Sequence, residues 1–134
     1  MKKFASSAFV LLISFFAPAQ IHNLSSGNLI YPALAFPTAE GFGKYTTGGR
    51  AGKTFIVTNL NDKGPGSFRE AAEAREPRTI VFAVSGTIHL ETKLAIAGNV
   101  TIAGQSAPGD GICLADQPVM LGGNNMIIRY IRFR

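Results

Sequence analysis

Between residues 94 and 114 the apolar residues come in pairs that flank a single small one: Leu94 and Ile96 about Ala95, Val100 and Ile102 about Thr101, Ile112 and Leu114 about Cys113. Glycine or asparagine turns separate the pairs. A spacing of two belongs to strands rather than to a helical stripe, and strands this short cannot stand as isolated hairpins. They need neighbours stacked against them. The 134-residue chain has the material for this: it is 46% hydrophobic and only 16% charged, with 15 Gly and 7 Pro. That texture favours short strands and many turns, and argues against coiled coils and helical bundles.

The pairs also recur. Asn99-Val100-Thr101-Ile102 and Asn125-Met126-Ile127-Ile128 lie 26 residues apart, each close behind a glycine, and Thr79-Ile80 precedes Thr101-Ile102 by 22. A period in the twenties with several strands per period is the mark of a solenoid of stacked β-coils, whose inward side chains form one continuous core. Asn99 and Asn125 then fall at equivalent turns, where asparagine tolerates the left-handed conformation and can stack on its neighbour. With two or three copies, a β-sandwich remains an alternative. The expected interior holds Ile80, Val100, Ile102, Ile112 and Ile127.

Ahead of the coils, five glycines in residues 41–52 mark a loop, and Thr54–Thr58 reads as a strand. Ser67 stands three residues before Glu70, a capping box that predicts a short helix over 68–75 with Phe68, Ala71 and Ala72 on one face, ended by Pro77. Beyond it the period becomes two: Ile80, Phe82 and Val84 share one strand face, Ile88 and Leu90 the next. The chain ends on the β-prone run 126–134 with no capping element after it, so the sequence is expected to be a fragment.

Residues 1–19 read as a secretory signal: Lys2 and Lys3, an uncharged run from Phe4 to Phe16, and Ala17-Pro18-Ala19 before a cleavage site. The run falls short of the roughly 20 residues of a membrane span. A second small-x-small site, Ala33-Leu34-Ala35, is ranked lower, and residues 20–35 read as a linker, with a glycosylation sequon at Asn23 that has meaning only in a eukaryotic host. Of the net charge of +5, two come from Lys2 and Lys3, which leaves 11 basic against 8 acidic residues, too mild for a nucleic-acid binder. The single cysteine, Cys113, has no intrachain disulfide partner, and with two histidines a thiol-based zinc site is disfavoured.

Other groups invite a chemical reading and mostly yield a plainer one. Gly48-Gly49-Arg50-Ala51-Gly52-Lys53-Thr54 lacks the first glycine of a phosphate loop and precedes a strand instead of following one. His89 alternates to the solvent side. Asp110 and Asp116 flank Ile112 and Leu114 and could share a calcium ion with further ligands, but Gly109-Asp110-Gly111 is first a turn. Cys113 has no base near it in sequence. Arg129, Arg132 and Arg134 form either a solvated face or the edge of a site for a carboxylate-bearing polyanion.

Several blocks, in order, resemble secreted bacterial and fungal pectate lyases. They are Phe36-Pro37-Thr38-Ala39-Glu40-Gly41-Phe42-Gly43 with Thr46-Thr47-Gly48-Gly49-Arg50, then Val57–Asp62 running into Gly64–Glu70, then Pro77–Ile88, then Val100–Ile112, and finally Ile127–Arg134. They cover residues 36–134, which this reading makes the N-terminal part of a pectate lyase domain. The resemblance implies an all-β, right-handed parallel β-helix with a short N-terminal capping helix, extracellular and monomeric when full length. It implies β-elimination on polygalacturonate, in which an arginine takes the C5 proton and calcium steadies the charge that develops beside the C6 carboxylate. The family's calcium carboxylates and catalytic arginine match no position here. No catalytic or metal residue is therefore assigned, the substrate-binding residues stay open, and the fragment is expected to be inactive. A non-catalytic β-helix adhesin and a β-helix hydrolase with paired carboxylates are the rival readings.

Overall fold

The computed structural model describes residues 32–134. The signal reading of 1–19, the sequon and most of the 20–35 linker lie outside the described residues.

Nine short strands carry the described chain around a tube: β1 (Lys53–Val57), β2 (Arg78–Phe82), β3 (Gly86–His89), β4 (Leu94–Ile96), β5 (Val100–Ala103), β6 (Ile112–Ala115), β7 (Val119–Leu121), β8 (Met126–Arg129) and β9 (Ile131–Phe133). They form three sheets, ordered β1-β2-β5-β8, β3-β6-β9 and β4-β7. Every pairing is parallel. The rungs β2-β3-β4 and β5-β6-β7 visit the three sheets in turn, β8-β9 continues into the first two, and each rung stacks on the one before it, which is a parallel β-helix. The sequence repeat is the stacking register itself: Thr79 pairs with Thr101, and Thr101 with Ile127.

The core follows from that register. Ile80 and Ile102 share one inward row and Phe82 continues it, while Ile88 and Leu114 stack in the second sheet and Leu94 and Ile96 line the third; all are buried. Val100 and Ile112 are fully enclosed as expected. Ile127 departs from expectation. It is buried, but it pairs with Thr101, so alternation points it outward, and Met126 and Ile128 are the residues of β8 that pack against the core. What covers Ile127 is the glycine-rich segment before β1. A Cβ on Gly48 would lie 2.9 Å from the Ile127 Cδ1, and one on Gly49 would lie 1.7 Å from the Arg78 carbonyl oxygen. Only glycine lets a backbone lie this close across a sheet.

The segment is fastened by hydrogen bonds. Asn125 Oδ1 accepts from the Thr47 and Gly48 amides at 3.0 and 2.9 Å and from the Thr47 hydroxyl, and Gly49 N–H donates to the Thr101 hydroxyl at 3.0 Å. Asn125 also donates to Asn99 Oδ1 at 2.9 Å, and both asparagines sit at positive φ, 60° and 54°. The two turns therefore stack as their spacing predicts.

Helix α1 (Phe68–Glu73) lies between β1 and β2 in sequence. Ser67 caps it by accepting from the Glu70 amide, and the Glu70 carboxylate reaches back to the Gly66 amide, one residue before the expected partner. It is two residues shorter than the predicted 68–75. The chain turns extended at Ala74, and the residue before Pro77 is also biased away from helix. Phe68, Ala71 and Ala72 join the core, with the Phe68 and Phe82 rings 5.7 Å apart between centroids.

Two arginines lock this end of the tube. Arg69, largely buried, donates to Asp62 Oδ1 from Nε at 3.0 Å and Nη2 at 2.7 Å, and to Glu73 and the carbonyls of Thr92 and Lys93. Burial alone would lower its pKa, but the hydrogen bonds and charges of Asp62 and Glu73 outweigh that and raise it. Arg78 takes an inward position, two residues before Ile80, and is fully enclosed. Its guanidinium donates to five backbone carbonyls: Ala71, Ala72, Glu76, Ala97 and Gly98. Burial lowers its pKa, opposed by the charge of Glu76.

Candidate functional site

The three C-terminal arginines do not share a site. Arg129 leaves β8 on the outer side, where its guanidinium lies 4.2 Å from the Phe36 ring centroid and 5.2 Å from that of Tyr130. It thereby helps to hold the N-terminal segment on the sheet. Arg132 pairs with Cys113 across β6 and β9, on another face of the tube, and donates to the Asp110 carbonyl at 2.8 Å. Arg134 follows on the same side by alternation, its amide bonded to the Leu114 carbonyl. Arg132 and Arg134 remain exposed.

His89 faces solvent, as alternation predicts, and pairs through Nδ1 with Asp116 Oδ2 at 2.7 Å. Sequence reasoning missed this pair: the register partner of His89 is Ala115, 26 residues on, and Asp116 is the next residue. Asp116 adopts φ 79°, a turn conformation that Asp tolerates better than most. Asp110 and Asp116 stand at opposite ends of β6 and do not meet. Cys113 is buried. The glycine-rich 48–52 segment is occupied in crossing the sheet. Asp62, the most buried carboxylate here, is already committed to Arg69.

These positions bear on a divalent ion. Calcium takes 6–8 oxygen ligands, usually from several carboxylates. Among the described residues no three His, Cys, Asp or Glu side chains come together. The carboxylates placed here do not fit a calcium site. Among the described residues, too, no helix is long and apolar enough to cross a membrane.

What the described residues do build is a scaffold, and its architecture defines the class: a parallel β-helix protein. The sequence carries the assignment further. The chain is 47% identical over 102 residues to probable pectate lyase C of Aspergillus terreus, covering 75% of this chain and 24% of that protein. With the protein of the same name in Emericella nidulans it shares 48% over 102 residues, with the same coverage. With that of Neosartorya fischeri it shares 42% over 119 residues, covering 88% and 28%. No family model matches. The chain spans about a quarter of the length of the curated relatives it matches. It is a pectate lyase homologue over that span.

Proposed function

We propose that this chain forms the opening coils of a secreted pectate lyase that cleaves polygalacturonate by β-elimination. The observation that carries the proposal is the identity of 42–48% to proteins named as pectate lyases, falling on a chain whose strands stack as a parallel β-helix. The coil is right-handed in this reading, and α1 closes its first turn. Lys2, Lys3 and the uncharged run after them support export.

In the reaction a base removes the proton at C5, the C4–O bond breaks with its electrons on the leaving glycosidic oxygen, and a C4–C5 double bond forms. Calcium is the ion that would offset charge at the C6 carboxylate. Neither it nor the base is assigned to residues of this chain. The role of 32–134 is to stack the first rungs and fix the register on which the reacting residues are placed.

Two assays test this. The 134-residue chain, given polygalacturonate and calcium, is expected to show no rise in absorbance from unsaturated uronate; calcium-dependent turnover abolished by chelator would place the machinery in the wrong part of the sequence. A chimera in which 36–134 replaces the matched quarter of the Aspergillus terreus protein is expected to cleave polygalacturonate with calcium. A folded chimera without activity, beside an active parent, would remove the functional reading.

A further inference from the structure

Residues 47–52 cross the outer face of the first sheet and touch three successive rungs. Gly52 and Gly49 lie against the Pro77 and Arg78 carbonyls at the start of β2, Gly49 N–H donates to the Thr101 hydroxyl on β5, and the Thr47 and Gly48 amides donate to Asn125 at the start of β8. These contacts are made on the face of the sheet and not at the end of the stack, so a further rung paired to β8 would leave them in place. The segment has almost no apolar hold on what it covers. Between Glu40 and Gly52 only Gly48 and Gly49 are buried, and neither has a side chain. Ala51 holds φ 63°, a left-handed backbone that is costly for a residue with a Cβ. The flanks are anchored separately: Phe36 lies 4.2 Å from the Arg129 guanidinium, and the Lys53 amide donates to the Pro77 carbonyl at 3.0 Å. Beneath the segment the rungs enclose Ile80, Val100 and Ile102.

We propose that residues 47–52 are a clasp that closes on rungs already stacked in register and opens as a unit while they stay stacked. Segments with few buried apolar contacts open at lower cost than the core they cover, and the strained Ala51 backbone lowers that cost further. The closed form also reads the register. A slip of β5 by one residue would turn the Thr101 hydroxyl to the inner face and leave the enclosed Gly49 N–H without an acceptor. Asn125 Oδ1 can take the Thr47 and Gly48 amides only while its turn stacks on that of Asn99, to which it donates at 2.9 Å. The clasp therefore fastens correctly stacked rungs and is left open by misaligned ones, and its opening uncovers Ile127 without disturbing the interior rows.

The test is native-state hydrogen exchange of the 134-residue chain, read amide by amide by NMR. In the wild type the Gly48 and Gly49 amides are expected to be protected, but at least about tenfold less than the amides of β2. Thr101→Val removes the acceptor of Gly49 N–H while keeping a β-branched strand residue. It is expected to speed exchange at Gly48 and Gly49 about tenfold, the size of one enclosed N–H left unpaired, and to leave the β2 amides within about twofold. Asn125→Gly, chosen because glycine accepts positive φ, should act in the same direction on the same two amides. Equal protection of Gly48, Gly49 and β2 in the wild type would mean that the segment opens only when the coil unfolds, and would overturn the proposal. So would a Thr101→Val protein in which the β2 amides accelerate as much as Gly48 and Gly49, or in which none of them changes. Circular dichroism checks that the variants fold; should one fail, the other variant and the wild-type comparison decide.

Discussion

Arg78→Met is expected to lower the unfolding free energy by about 3–5 kcal/mol, the range for leaving buried polar groups without their charged partner. Methionine fills much of the same volume, so the loss isolates the five hydrogen bonds. Those bonds go to the carbonyls of Ala71 and Ala72 at the end of α1, to Glu76, and to Ala97 and Gly98 in the turn before β5. The last carbonyls of a helix have no partner of their own. Here one side chain serves them and ties the helix to the next rung. The guanidinium stays charged despite the downward push of burial, because its ordinary pKa is so high. Arg78→Lys keeps the charge but offers three donors in place of five, so it should fall between Met and wild type. Urea unfolding reads the difference. An Arg78→Met midpoint within error of wild type would show that water replaces these bonds without loss.

Arg69→Met should cost a similar amount, about 3–5 kcal/mol, for a different reason: it leaves the enclosed Asp62 carboxylate without its cation. The side chains of Arg69 and Asp62 are 9% and 3% exposed, so solvent does little to screen the pair. Combining Arg69→Met with Asp62→Leu removes both charges, and buried pairs replaced by apolar groups often lose little. The double variant should therefore be more stable than Arg69→Met alone. Recovery stays partial, because the Glu91 amide and the carbonyls of Thr92 and Lys93 also lose their partners. Chemical unfolding of the four proteins in the cycle measures the coupling. Costs that simply add would mean that the two residues act independently.

Much of the coil was legible because stacking writes itself into spacing. The asparagines 26 residues apart are neighbours in space, and the apolar pairs are the inward rows. Ile127 was misplaced even though the same repeat aligns it with the outward Thr101; a large aliphatic residue looks like core, and its cover comes from Gly48, 79 residues earlier. Glycines carry no periodic signal, so the segment reads as a loop and its docking surface stays hidden. Arg69 and Arg78 look like ordinary surface charges in sequence. For Arg78 there was a clue, since it has the parity of Ile80 and Phe82 and so had to be inward. For Arg69 there was none, because Asp62 and the Thr92 and Lys93 carbonyls meet it only after the first rung has closed. The β-prone run from Met126 to Arg134 likewise hides that Tyr130 is a corner between two strands.

Interstrand backbone NOEs in the isotopically labelled chain test the parallel rungs and their fixed register most directly. Parallel stacking predicts cross-peaks between 100–103 and 126–129 whose residue numbers differ by a constant 26, with Val100 opposite Met126 and Ile102 opposite Ile128. Antiparallel pairing would instead give partners whose numbers keep a constant sum. That pattern would contradict the β-helix and the scaffold role built on it.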